Sequence, residues 1–356
     1  VKTILITGGA GFIGSHFIRL MAKKYPEYEI INLDLLTYAG NLENLWEVEL
    51  HPNYFFMKGD ISDPTTIRDL FAQFQVDYVV NFAAESHVDR SIADPDRFLR
   101  TNVIGTNNLL RAATEQWEGR STNAGLMATQ GVKFLQISTD EVYGSLGKEG
   151  RFHETTPLHP NSPYSASKAS ADLLVQSYHE TYGLPVNITR CSNNYGSNQH
   201  LEKFIPLTIT RAIQNMEIPI YGDGLQIRDW VYVDDHCDAL DLVLHKGMPG
   251  EVYNIGGDQE SYNILIAKEI LRILGKPKEL IRYVKDRPGH DQRYAVDHSK
   301  ITRELDWKPK MVFQEGLKRT IQWYLQNTDW VKSVMDQGFD QYLQENYQFE
   351  DTTSTP

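Results

Sequence analysis

Only two cysteines, Cys191 and Cys237, occur in 356 residues. That count gives no disulfide framework and no sign of a catalytic thiol, and two buried, inert side chains are the expectation. No apolar run approaches ~20 residues, so no transmembrane helix is predicted. Positive charge is in deficit: 35 Lys and Arg stand against 47 Asp and Glu, a net of −12. The deficit argues against a general nucleic-acid or membrane-surface binder. An anionic ligand would need a local cluster of Arg and Lys against that background. Internal repeats, low-complexity tracts and metal-ligand spacing are missing too, and no metal is expected. The first residues read as a strand, with no signal-peptide pattern, so a cytoplasmic chain is expected.

What the chain does have is a hydrophobic fraction of 41%, ample for one enzyme-sized unit of two lobes. Strand-like runs at Thr3–Thr7, Glu29–Asp34, Tyr54–Lys58 and residues 78–82, 133–138 and 186–190 alternate with helix-like runs at residues 12–25, 64–74, 97–116 and 165–182. This alternation predicts a Rossmann-type α/β fold: a doubly wound parallel sheet with both faces covered. Residues 117–130 read as a polar surface loop. Beyond Ser192 the pattern loosens around Pro206, Pro219, Gly222, Gly224 and Gly247. A smaller α/β substrate-binding lobe over the carboxyl ends of the strands is predicted there. The expected division is residues 1–192 for the dinucleotide-binding domain, with 232–257 returning to it as the strand Val252–Ile255. Residues 193–231 and 258–330 form the substrate lobe, and 331–356 a C-terminal helix and tail that frays from 344.

Gly8, Gly11 and Gly14 lie between the first strand and first helix. Their spacing is Gly-x-x-Gly-x-x-Gly. Gly8 permits a tight turn, Gly11 lets the backbone approach a pyrophosphate, and Gly14 allows close helix–strand packing. The free N–H groups of the helix start then face the phosphates. Asp34 ends the second strand about 20 residues on, where an acid binds an adenosine ribose. A carboxylate there accepts from a 2′-hydroxyl and repels a 2′-phosphate, which predicts NAD over NADP. Asp60 is a candidate for the adenine or, equally, a helix-start residue. Phe12, Ile13, Ile61 and Ala83 complete the predicted cofactor contacts.

Ser138-Thr139-Asp140-Glu141-Val142-Tyr143-Gly144 follows the fifth strand, and Tyr164 and Lys168 share a helix face four residues apart. A phenol has a pKa near ~10 in water. A nearby ammonium and a cationic nicotinamide favour phenolate. Tyr164 can then take the proton of an alcohol whose carbon loses hydride, with Thr139 orienting the same oxygen. Asp140 and Glu141 add two carboxylates. One can remove a proton beside the new ketone while the other protonates a departing hydroxyl.

Together these motifs resemble the extended short-chain dehydrogenase/reductases and, within them, the dTDP-glucose 4,6-dehydratases. The matching segments are residues 8–14, 34–41, 83–91, 138–144, 190–196 and 221–224, with Tyr164, Lys168, Arg228-Asp229-Trp230, residues 287–291 and Arg293-Tyr294. The Thr-Asp-Glu triplet is the most diagnostic of them. The resemblance implies Asp140 as acid, Glu141 as base, NAD as cofactor, dTDP-glucose as substrate, and a homodimer built on the helices near 97–116 and 165–182. The apolar stripes of those helices serve equally to cover the sheet. A nucleotide diphosphate calls for charge-assisted donors, and Lys203, Arg228, Arg287 and His290 are candidates, with amides from Asn193 and Asn263. Ser86, His87 and Tyr294 are candidates for the sugar pocket, with a packed core histidine the other reading of His87. Residues 197–201 depart from the family pattern. Two rival readings remain: a UDP-sugar 4-epimerase or decarboxylase of the same fold and, from a different class, a non-catalytic NAD-binding scaffold or sensor.

Overall fold

β-Branched and aliphatic residues dominate the first strand, β1 (Thr3–Thr7), and all five are buried. A strand apolar on both faces belongs inside a parallel sheet. In the computed structural model, which describes residues 1–118 and 131–335, it does. The strands that follow are β2 (Glu29–Asp34), β3 (Tyr54–Lys58), β4 (Tyr78–Asn81), β5 (Lys133–Thr139), β6 (Val186–Cys191), β7 (Asn193–Tyr195), β8 (Ile218–Tyr221), β9 (Ile227–Tyr232), β10 (Val252–Ile255), β11 (Glu260–Tyr262) and β12 (Ile281–Val284). Seven form one sheet in the order β10-β6-β5-β4-β1-β2-β3, with every pairing parallel. The strand order reverses between β1 and β4. Such a reversal opens a crevice at the carboxyl ends of the strands, where ligands of this fold class bind. One face packs on helices Phe12–Lys24 and Val233–Lys246. The other packs on Pro64–Gln73, Thr106–Glu118 and Pro163–Tyr182.

The smaller sheets lie later in the chain: β11-β9-β7, and the pair β12-β8. A separate apolar cluster around Tyr195, Trp230, Phe313 and Trp330 fixes them. The predicted surface loop begins at Trp117, which is instead the buried penultimate residue of a helix. Its N–H donates to the Val76 carbonyl at 2.8 Å. The remainder of that loop from residue 119, and the tail from 336, lie outside the described residues.

Local chemistry fixes the helix that carries Tyr164 and Lys168. Ser162 and Ser165 form a reciprocal capping box, Pro163 opens the first turn, and Gly183 closes the helix in the left-handed region (φ 68°). The single helix expected at 97–116 differs. It begins as Pro95–Phe98, widens into a π turn at Leu99–Gly105 and resumes as Thr106–Glu118. Within the wide turn Asn102 accepts from the Glu85 amide (2.9 Å) and donates to Ser167 (2.8 Å). Wide turns of this kind are over-represented at functional sites.

Candidate active site

The crevice starts at the glycine turn. Gly8 lies at φ +69°, and a Cβ there would sit 2.6 Å from the Ala83 nitrogen. Only glycine therefore lets the ends of β1 and β4 approach. A Cβ at Gly14 would strike the Gly8 carbonyl. Helix Phe12–Lys24 begins from Gly11 without a side-chain cap, leaving first-turn N–H groups for an anion. Asp34 is buried at the end of β2 and accepts from the Ala10 (2.9 Å) and Leu36 (2.8 Å) amides. Burial pushes its carboxyl up and the two amides pull it down. Both oxygens retain a lone pair for ribose hydroxyls. Asp60 accepts from the Ser62 amide at 2.8 Å, whereas the helix cap is Asp63. The helix-start reading of Asp60 therefore moves to Asp63.

One cleft is lined by the glycine turn, Asp34, Asp60 and most of the chemical residues, though Asp140 stands behind its wall. Gly8, Gly11, Phe12, Ile13, Gly14, Asp34, Asp60, Ile61 and Ala83 form one end, and Ser138, Thr139, Glu141, Tyr164 and Lys168 the other. Glycine close approaches, an uncapped helix start and a buried acid at the ribose position suit a dinucleotide of the NAD type.

Asp140 and Glu141 begin a single 3₁₀ turn directly after β5, with Thr139 accepting from the Glu141 amide at 3.2 Å. Their surroundings differ. Asp140 is buried, and its Oδ2 has no partner among the described residues. Burial, then Glu141 and Asp229, hold its carboxyl well above the ordinary range. Burial also raises Glu141, but Arg287, Arg228 and Lys203 pull it back. Both carboxyls stand above the ordinary range, and only Glu141 is opposed by three cations, so the two environments differ in the way acid–base work needs.

Tyr164 stands in a buried setting that opposes its phenolate. Burial, then Glu141, hold its phenol well above the usual value, and a hydrogen bond with Thr139 opposes them. The Lys168 ammonium faces the Ile137 carbonyl at 2.6 Å, and burial lowers its own pKa. This chain's lysine does not by itself make the phenolate, so further positive charge is required at the cleft.

Of the substrate candidates, Ser86, Asn193 and Lys203 line the cleft. Lys203 donates to the Ser86 carbonyl at 2.9 Å. Arg228 and Arg287 stand outside its walls, yet with Lys203 they are the cations acting on Glu141. They are the local positive cluster that the overall charge called for. Arg287 lies 3.8 Å from Asp89, and Arg228 sits over the Tyr294 ring at 4.3 Å. The Tyr294 hydroxyl is engaged by Asp291, so this residue carries Arg228 rather than offering its hydroxyl. His290 is not the expected cation: burial, then Arg287 and Arg228, lower its pKa to about 4 despite Asp286 at 2.6 Å. It is a neutral ring at pH 7. His87 is buried and lowered to about 3 by burial, which favours the packed-histidine reading. The Oδ1 atoms of Asn193 and Asn263 and the Arg287 Nε have no hydrogen-bond partner among the described residues. Buried polar groups are normally satisfied, and a bound nucleotide sugar would supply partners.

Sequence reasoning missed Gln199, His200 and Glu202, which also line the cleft. The signal was the departure at residues 197–201. Asn198 turns there at φ 61°, Gln199 donates to the Asn194 carbonyl at 3.0 Å, and Glu202 takes Arg90 at 3.1 Å.

A family model described as GDP-mannose 4,6 dehydratase matches residues 5–320. A dTDP-glucose 4,6-dehydratase of Xanthomonas campestris pv. campestris (strain B100) is 49% identical over 348 residues, covering 95% of this chain and 97% of that one. The chain belongs to the dTDP-glucose 4,6-dehydratase family. Among solved family structures, one from Bacillus anthracis str. Ames in complex with NAD is 50% identical with a TM-score of 0.84, covering 94% of this chain and 100% of that one. Another, from Streptomyces venezuelae with NAD and dTDP bound, is 47% identical with a TM-score of 0.86 at the same coverage. A dTDP-glucose 4,6-dehydratase fold over this length leaves the glycine turn and the Asp140-Glu141 turn within the matched region.

Proposed function

We propose that this chain is an NAD-dependent dTDP-glucose 4,6-dehydratase that forms dTDP-4-keto-6-deoxyglucose and water. The observation that carries the reading is the Asp140-Glu141 pair, two adjacent carboxyls in unlike surroundings, in the neighbourhood of Tyr164. Bound NAD supplies a hydride acceptor at C4, a donor back to C6, and the cationic ring that favours the Tyr164 phenolate. Thr139 and Tyr164 hold the C4 oxygen, and Tyr164 takes its proton. Glu141 removes the C5 proton that the ketone acidifies, and Asp140 gives its proton to the C6 hydroxyl as it leaves. A proton then returns to C5. Arg228, Arg287 and Lys203 hold the diphosphate, and their charge favours the Glu141 carboxylate against burial.

Incubation with dTDP-glucose and UDP-glucose side by side tests this. The expected product, from dTDP-glucose, is a 4-keto-6-deoxy sugar with strong ultraviolet absorbance in alkali. A C4 epimer, a decarboxylated sugar or unchanged substrate rejects the assignment. The product is the common precursor of 6-deoxysugars, rhamnose among them.

The finer organisation follows the same reading. The substrate lobe comprises residues 193–231 and 258–330 over the dinucleotide-binding domain. The enzyme is a homodimer, which exposed Leu99, Ile104 and Leu173 on the paired long helices support. Light scattering should return twice the chain mass, and a monomer mass would reject it. Free, buried Cys191 and Cys237 are consistent with a cytoplasmic site of action.

A further inference from the structure

Arg190 lies on β6 between Ser138 of β5 and Asn254 of β10 in the sheet register. Its guanidinium is almost wholly buried. Nε donates to Asp172 at 2.9 Å, and the two side chains are 3% and 0% exposed. Nη1 donates to the Tyr143 hydroxyl at 3.0 Å, and the guanidinium sits over the Tyr143 ring at 4.9 Å. Tyr143 donates in turn to Asn254 at 2.8 Å. Its ring stacks on Phe152 with centroids 4.9 Å apart.

The two partners of Arg190 sit on different parts of the catalytic apparatus. Asp172 follows Tyr164 and Lys168 at successive four-residue steps on one helix, so the three share a face. Tyr143 ends the 3₁₀ turn that starts with Asp140 and Glu141. A buried ion pair gives little net stability over an apolar pair of the same volume. Stability alone therefore does not account for charges here, whereas register between two reacting halves does.

Accepting the dehydratase reading, we infer that Arg190 is a positioning residue that locks the Asp140-Glu141 turn, through Tyr143, to the Tyr164-Lys168 helix, through Asp172. The two arms have different consequences. The Tyr143 arm sets where the acid and base stand relative to C5 and C6. The Asp172 arm supplies negative charge beside Lys168, whose ammonium it favours against burial.

The test separates the steps in single-turnover experiments with dTDP-glucose in D₂O. Reduced cofactor is followed at 340 nm, and C5 deuteration and product by mass spectrometry. Tyr143→Phe keeps the ring and removes the hydroxyl. It should leave the first hydride transfer within about twofold of wild type and slow elimination on the order of tenfold or more, so that reduced cofactor accumulates. Asp172→Asn should do the converse: the pH profile of the first hydride transfer moves to higher pH, while elimination from the ketone keeps its rate. Equal slowing of both steps by Tyr143→Phe, or no slowing, overturns the inference. Should Asp172→Asn not fold, the Tyr143→Phe partition decides alone. A wild-type chain that makes no 4-keto-6-deoxy product rejects the dehydratase reading instead, and that outcome is visible before any variant is compared.

Discussion

Glu141→Gln should retain the first half of the reaction and lose the second. The hydride step needs Tyr164, Thr139 and the cofactor, none of which the substitution removes. The C5 proton then has no base. On mixing with dTDP-glucose, 340 nm absorbance should rise and persist, while product falls by about 10²-fold or more. Solvent deuterium should not enter C5 at the wild-type rate, and wild-type exchange would falsify the role of Glu141 as base. The surrounding charge sharpens the expectation. Arg287, Arg228 and Lys203 all act on this carboxylate, and a neutral amide leaves three cations without it. Substrate binding should therefore tighten slightly or hold steady, because the diphosphate is the other anion available to them. Asp140→Asn gives the complementary result. The C5 proton can still leave, so deuterium enters C5, but the C6 hydroxyl has no acid to accept a proton from and product again falls.

Tyr164→Phe should stop the reaction one step earlier. No absorbance at 340 nm should develop, and turnover should fall by about 10²- to 10⁴-fold. Cofactor affinity should stay within a few-fold of wild type, because the glycine turn and Asp34 are untouched. The wild-type hydride step should also climb as pH rises. Burial and Glu141 hold the Tyr164 proton on, and the active form is the phenolate. The phenylalanine variant should be flat in pH. Full activity in the variant would reject Tyr164 as the base, and absence of turnover in wild type and variant alike would return the chain to the class of non-catalytic NAD-binding scaffolds.

The parallel sheet and the gathering of the glycine turn and Asp34 at one end of the cleft were legible from sequence because they rest on local signals. Strand–turn–helix order, glycine spacing and an acid at the end of β2 each have a short-range physical meaning. The same holds for Tyr164 and Lys168, which one helix turn brings together. The charge state of these groups was not legible. Burial raises the Tyr164 phenol and, with Arg287 and Arg228, lowers the His290 ring, so the phenolate rests on the nicotinamide charge named with it and His290 is not the cation expected. Burial depends on what the later lobe packs over, and no motif reports it. The π turn at Leu99–Gly105 was read as plain helix because its apolar periodicity continues into the flanking turns. The Arg190 link was invisible for a different reason: Tyr143, Asp172, Arg190 and Asn254 are brought together by strand register and crossovers across 112 positions of chain.

Asp34 carries a lesson for anyone wishing to redesign this protein's redox currency. Its carboxylate is also the tie that gathers the Ala10 and Leu36 amides, with Leu36 held in the left-handed region at φ 55°. Replacing it with a small or basic side chain to welcome a phosphorylated ribose would cut both ties at once. A specificity switch here has to rebuild the bend at residues 34–40 along with the side chain, and single substitutions at this position should yield poor binders of either dinucleotide.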